Sequence, residues 1–443
     1  MNDQYSELYS SYQWLVPSQF NIAQACVHRW AENPFEGRRI AIYHENELGQ
    51  REVWTYSRLA DSCGKLANGL LKMGVRPGDR VAVTMEQRPE LAAAHLAILS
   101  IGAIATPLSG YPYDHLAACL DDADIRVAIT DAESAPGLLG AQARRPALAQ
   151  IVGLDLDHEA VIPWRTLLAR QLPDLKPLST RPFGPALLMY GPPGAAPLGA
   201  LLPHGALIGS LPGFVASQNW FPQKGDIFWT PSTWSTHPGL VLGLLPALYF
   251  GLPVLSLAGY VSAQRALEAL ERYQITNVLA PAAMLSAIME YAPLPRRQHH
   301  LALRAVALQE PDPDPALHAW CEKSLGCPAN QTLSCTEAGY ILGDSHRKWP
   351  LAPGSLGKPY PGHRLAVLDS LGRPCAPGKR GEIALNRHDR YGHPDPALFL
   401  GYWGNEAAAQ ARFRGDWFLT GMRAFIDENG YYRRAQPDPQ RNP

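Results

Sequence analysis

The sequence predicts an α/β protein with two helix-covered, mostly parallel sheets and a small β-barrel-like unit. Three observations carry this. Short apolar runs alternate with segments of helical periodicity between residues 55 and 130, and the alternation returns between 186 and 308. Beyond Gly354 it gives way to short strands separated by turn signals. Repeated strand–helix–strand order implies parallel pairing, because parallel neighbours need a long crossover and a helix supplies it.

In the first part, Leu59, Ala60, Leu66, Ala67, Leu70 and Leu71 fall near helical spacing, which predicts a helix over 57–73. "GVRPGD" (74–79) is a turn and "RVAVTM" (80–85) a strand of the buried type. A helix over 89–101, a strand at "AIATPL" (103–108), a helix over 114–122 and a strand at "IRVAIT" (125–130) follow. A Pro-rich, weakly patterned stretch at 172–185 separates this part from the next. There "ALLMY" (186–190) leads through a loop into a helix after His204. "DIFWT" (226–230) precedes a helix over 240–250, and "PVLSL" (253–257) follows it. Helices over 262–273 and 282–291 then alternate with strands "TNVLA" (276–280) and "RAVAL" (304–308). "HRLAVLD" (363–369) and "GEIAL" (381–385), separated by Gly372 and Pro374, predict an appended antiparallel unit. After Tyr432 the chain is too rich in Pro and polar residues to continue a domain. The expected division is 1–185 (first α/β subdomain with an N-terminal extension), 186–350 (second), 351–432 (β-rich) and 433–443 (tail).

Charge is nearly balanced, with 39 basic against 40 acidic residues, and no basic stripe points to a nucleic-acid partner. The longest apolar run, 239–250, contains Pro246 and is too short for a membrane span. The N-terminus is polar and acidic, unlike a signal peptide. Seven cysteines at irregular spacings, with no C-x-x-C pair, suit reduced thiols, and a cytoplasmic location is expected. Cys321, Cys327 and Cys335 with His318 fit no zinc spacing and are expected as separate buried thiols. Neither a Walker A sequence nor a G-x-S-x-G elbow occurs.

Six segments in order carry a resemblance: "RPGDRVAVTMEQRPELAAAHLAILSIGAIATPL" (76–108), "PLGALLPH" (197–204), "WTPSTWSTHPGLVLGLLPALYFGLPVL" (229–255), "CTEAG" (335–339), "GSLGKPYPGH" (354–363) and "FLGYWGNEAAAQARFRGDWFLTG" (399–421). Together they resemble the adenylate-forming (AMP-binding) superfamily, in particular its medium-chain acyl-CoA synthetase branch. The resemblance implies an enzyme that joins a carboxylic acid to AMP using Mg-ATP, then passes the acyl group to coenzyme A. Such enzymes continue past a hinge into a small mobile domain with a catalytic lysine. This sequence is expected to lack that domain, or to meet it in trans on a protein partner.

Set against the family's motifs, the nucleotide side is degenerate. The loop "YGPPGAAPLG" (190–199) stands where backbone N–H groups, hydroxyls and a lysine cradle phosphates. It keeps Gly191 and Gly194 but has no Ser or Thr, and Leu198 stands in the lysine's place. Pro192 and Pro193 have no N–H to donate. A rigid surface loop is the expectation. Thr336 and Glu337 match residues that contact the α-phosphate and position Mg²⁺, and they equally suit a turn that satisfies local backbone groups. Leu333 takes the place of an adenine-stacking tyrosine. Gln309, Glu310 and Pro311 fall where a Gly-Glu-Pro-like turn lines the adenine pocket. Met422 stands where an aspartate accepts both ribose hydroxyls, and a thioether is a weak acceptor. At the hinge, Gln436 and Pro437 overlie a Gly-Arg pair, with Pro439 and Gln440 at the Asp positions; Arg433 and Arg434 are expected as solvated tail charges.

The acyl side keeps more. Trp234, His237, Gly239 and Leu240 preserve an apolar, small-residue pattern that suits a carboxylic-acid pocket and equally the core of the second sheet. His204 matches a histidine at a helix start, with a capping role expected. The functional expectation is a degenerate acyl-CoA synthetase homologue with little or no adenylation, binding an acyl ligand or a protein partner. The competing expectation is an active acid–CoA ligase with altered nucleotide contacts.

Overall fold

The computed structural model describes residues 3–145, 147–194, 196–309 and 314–435. Two large sheets and one small one organise the chain. Among the described residues the first has eight strands, in the order Gly401–Tyr402, Gly199–Pro203, Pro185–Tyr190, Ile104–Pro107, Arg80–Thr84, Val127–Asp131, Gln150–Leu154 and Val161–Pro163. From Pro185–Tyr190 onward every pairing is parallel. Val81, Ala82 and Val83 are all fully buried, which explains why these strands read as continuous apolar runs rather than alternating ones.

The second sheet has nine strands, in the order Lys358–Pro359, Gly339–Gly343, Ala329–Cys335, Ala305–Leu308, Asn277–Ala280, Phe228–Trp229, Val254–Leu257, Ile40–Glu45 and Arg51–Thr55. Sheet membership crosses the expected boundary at residue 185 in both directions. Ile40–Glu45 pairs in parallel with Val254–Leu257, while Pro185–Tyr190 and Gly199–Pro203 complete the first sheet. Parallel partners are chosen by packing between distant segments, which local pattern does not encode. The third sheet is antiparallel: Leu365–Leu368, Gly381–Asn386, Trp417–Ile426 and Phe413–Arg414, with Tyr432–Arg434 against Trp417–Ile426.

Helices form where the periodicity places them. Tyr56–Lys72 is capped by Thr55, whose hydroxyl accepts from the Arg58 N–H at 3.2 Å. Pro89–Ser100 is apolar on nearly every side and buried accordingly, in the core shared by both large sheets. The expected helix at 240–250 begins earlier, as His237–Gly239, and passes through a π turn, Leu240–Leu244, before Leu245–Tyr249. Pro246 has no N–H to give, and the turn ahead of it is the wider one.

Two expectations near the C-terminus and at His204 need correction. Arg433 is no tail charge: it lies in the strand Tyr432–Arg434, with Nε 2.7 Å from Asp427 Oδ2 and Nη1 donating to Pro353 O. His204 does not cap the helix Ala206–Ser217. Its ring is buried and Nδ1 accepts the Ile22 N–H at 3.3 Å, tying the N-terminal segment to the core.

A candidate nucleotide-side cleft and a buried acyl-side segment

Strand pairing builds the cleft. Tyr190 pairs with Gly199, which closes a hairpin whose turn carries Gly191 to Gly194 and Leu198. The loop's base is held by Tyr111, whose hydroxyl donates to Tyr190 O at 2.8 Å, and by Tyr190, whose own hydroxyl donates to Asp122 Oδ2 at 2.6 Å. His115 Nε2 lies 3.3 Å from Gly191 O. Gly191 to Gly194 are exposed and Leu198 is 38% exposed.

Thr336 and Glu337 come from the second sheet, on the turn between Ala329–Cys335 and Gly339–Gly343. That turn exits through Gly339 at φ +62°, where a Cβ would stand 2.6 Å from Ser210 Oγ, so the glycine of "CTEAG" is required. The two-residue strand Gly401–Tyr402 pairs with Gly199–Pro203 and brings Tyr402 to the same place. Its hydroxyl donates to Glu337 Oε1 at 2.6 Å, and Glu337 O accepts the Phe399 N–H at 2.7 Å. Burial and the Glu337 carboxylate push the Tyr402 phenol above its ordinary range, so it remains a donor.

The result is a cleft of about 490 Å³ lined by His115, Met189, Pro192, Pro193, Leu198, Thr336, Glu337 and Tyr402, among others. Neither lysine nor arginine is among its described lining residues, and Glu337 is the carboxylate there. The structure thus brings Gly191, Gly194, Leu198, Thr336 and Glu337 into one cleft. Sequence reasoning missed His115 and Tyr402. Tyr402 lies inside a quoted segment, but its partner is 65 residues away, and nothing local marked the pair.

Leu333 and Met422 go elsewhere. Leu333 is 6% exposed and belongs to an apolar cluster with Leu342, Leu356, Val367, Ile383, Ala424 and Tyr432, against which Met422 packs. This cluster joins the second sheet to the third. An adenosine held in the manner the resemblance implies finds no ring face at Leu333 and no strong acceptor at Met422. Gln309 is engaged by Ser232: the Gln309 amide donates to Ser232 Oγ at 2.9 Å. Glu310, Pro311, Gln436, Pro437, Pro439 and Gln440 lie outside the described residues. For Mg²⁺, Glu337 offers one carboxylate, and no three His, Cys, Asp or Glu side chains converge among the described residues.

The acyl-side residues are core. Trp234 and Leu240 are fully buried in the cluster that spans both large sheets. The Trp234 N–H donates to Gln87 Oε1 at 2.9 Å. A Cβ on Gly239 would stand 2.0 Å from Thr233 O, so the helix start and the preceding turn approach as only glycine permits. His237 is buried, and burial pushes its imidazole down to about 3. Cys321 and Cys327 are separate buried thiols, raised by burial to about 12 and about 11.

The architecture is that of acyl-CoA synthetases. A crystal structure of Brucella canis acyl-CoA synthetase superposes with a TM-score of 0.90 at 21% identity, over 99% of this chain and 80% of that one. The anthranilate CoA ligase AuaEII, in complex with anthranoyl-AMP, gives 0.84 at 21% identity, over 95% of this chain and 78% of that one. In sequence, the chain is 26% identical to the uncharacterized acyl–CoA ligase YtcI of Bacillus subtilis (strain 168), covering 94% of this chain and 76% of that protein. It is 27% identical to an acetyl-coenzyme A synthetase of Streptomyces coelicolor, covering 94% and 68%. Residues 27–403 match the AMP-binding enzyme family, and the chain belongs to it.

Proposed function

We propose that this chain is a degenerate AMP-binding enzyme with little or no ATP-dependent adenylation of its own, serving as an acyl-ligand-binding or partner protein. One observation carries the reading: Leu333, at the adenine position the resemblance assigns, is buried in an apolar cluster between two sheets, and half-buried Met422, at the ribose position, packs against it. Placing polar groups there without partners costs about 1–3 kcal/mol each, which opposes a nucleotide. The phosphate loop adds to this, since Pro192 and Pro193 donate nothing and Leu198 carries no charge. The packed acyl-side segment supports retention of that half of the fold. A cytoplasmic place is part of the reading; among the described residues no helix is long and apolar enough to cross a membrane.

ATP–pyrophosphate exchange with a panel of carboxylic acids tests it. The expected result is no exchange above background, with some acyl ligands raising the melting temperature. Robust exchange would sink the reading.

A second reading keeps the chain an acid–CoA ligase, with altered nucleotide contacts and a catalytic-lysine domain acting in trans. The favouring observation is that Thr336, Glu337 and Tyr402 still line the cleft beside the loop. Exchange that emerges only when such a domain is added would establish it.

A further inference from the structure

Three arginines with no carboxylate partner among the described residues face one cleft of the third sheet, far in function from the nucleotide side. The cleft, about 850 Å³, is lined by Arg364, Arg390 and Arg414 together with Tyr391 and Trp417. All three arginines are exposed. Their positions are set by neutral contacts. The Arg364 guanidinium lies 5.4 Å from the Trp417 ring centroid. Arg390 Nη1 donates to Ser10 O at 3.1 Å, and the Tyr391 hydroxyl donates to the same carbonyl at 3.2 Å. Arg414 Nη1 donates to Phe413 O at 3.0 Å.

Two carboxylates line the same cleft, and one of them is satisfied within its own loop. Asp389 is 4% exposed and accepts from the N–H groups of Tyr391 and His393 and from His393 Nδ1. That ring of bonds also stiffens the wall that presents Arg390 and Tyr391. Asp416 lies at the rim, largely exposed, with Oδ1 3.6 Å from Arg387 Nε, so the cleft sets three arginines against one open carboxylate. The cleft is therefore a concentration of forked cationic donors in a chain whose overall charge is −1. Guanidinium forks match phosphate oxygens, and an anion between them relieves their mutual repulsion. Tyr391 is 45% exposed, with the Arg390 guanidinium 5.4 Å from its ring centroid, which couples the ring to the cationic group.

We infer that this cleft binds a small phosphorylated molecule bearing a flat ring, with the phosphate on Arg364, Arg390 and Arg414 and the ring on Tyr391. This stands apart from the reading of Leu333 and Met422. Calorimetric titration with pyrophosphate and with AMP, both without Mg²⁺, tests it at low and at physiological salt. Both probes are expected to bind, and more weakly at the higher salt because exposed charges are screened. The double variant R364Q/R414Q is expected to weaken both by about a hundredfold, roughly tenfold per arginine. Y391A is expected to weaken AMP and leave pyrophosphate unchanged. An unaltered melting temperature confirms that the variants fold.

No binding of either probe overturns the inference. So does binding that survives in R364Q/R414Q; for AMP, that outcome also counts against the reading of Leu333 and Met422. AMP binding that disappears in the variant supports the inference and leaves that reading intact.

Discussion

The segment from Trp234 to Leu240 and the loop that carries Gly191 to Gly194 and Leu198 sit in different physical settings. The first is anchored in the core shared by both large sheets, with Trp234 and Leu240 fully buried and Thr236 exposed between them. The second is a hairpin end whose described residues Gly191 to Gly194 and Leu198 are exposed, with Tyr111 bonded at its base. A buried segment is held to its residue types by packing, because interiors tolerate neither voids nor excess volume. An exposed loop carries chemistry that folding does not need. Pro192, Pro193 and the uncharged Leu198 are accommodated there with the Tyr190–Gly199 pairing kept.

The comparison can be broken at its buried end first. Acid is expected to have the largest effect. Burial pushes His95 and His204 down to about 4 and His237 to about 3. Between the ordinary histidine range near 6.5 and those values, the unfolded chain binds protons that the folded chain refuses, so stability falls as pH falls. Asp344 acts in the opposite sense: burial pushes its carboxyl up to about 7, so its contribution is lost as pH rises through that value. The three histidines outweigh it, and the urea midpoint is expected to drop markedly between pH 7 and pH 4.5. A midpoint that holds or rises would contradict the buried neutral state of these rings.

Gly239→Ala comes next. The new Cβ meets backbone oxygens of Thr233 and Ser232, at 2.0 and 2.6 Å, that cannot move aside. A loss of about 3 kcal/mol is expected from equilibrium unfolding. Tyr402→Phe sharpens the comparison at the border between the two regions. It removes the 2.6 Å bond to Glu337 from a half-buried place and is expected to cost about 1–2 kcal/mol. A neutral result there would mean that water replaces the phenol without loss, and that Glu337 is not positioned by it. Leu198→Lys is expected to do least, within about 0.5 kcal/mol of the parent, because the side chain is exposed. A large destabilisation from that change would erase the contrast between loop and core.

Much of this was legible without coordinates. Helical spacing in 57–73 and the continuous apolar run at 80–85 are local properties, and both became the elements they predict. Prolines without N–H groups, a leucine without charge and a thioether without strong acceptors are covalent facts, readable at Pro192, Pro193, Leu198 and Met422 wherever the chain places them. The sequence by itself therefore determined the fold class and the residue types at these positions.

The tertiary structure decided which of these residues meet. It placed Ile40–Glu45 in the second sheet, set Tyr402 on Glu337, and gave the His204 ring to Ile22 rather than to its own helix. It also gathered Leu333 and Met422, which the sequence holds 89 positions apart by subtraction of their numbers, into one apolar cluster. The physical reason is the same in each case. These contacts join segments distant in sequence, and their partners are selected by burial and sheet pairing across the whole fold rather than by the local periodicity a sequence displays.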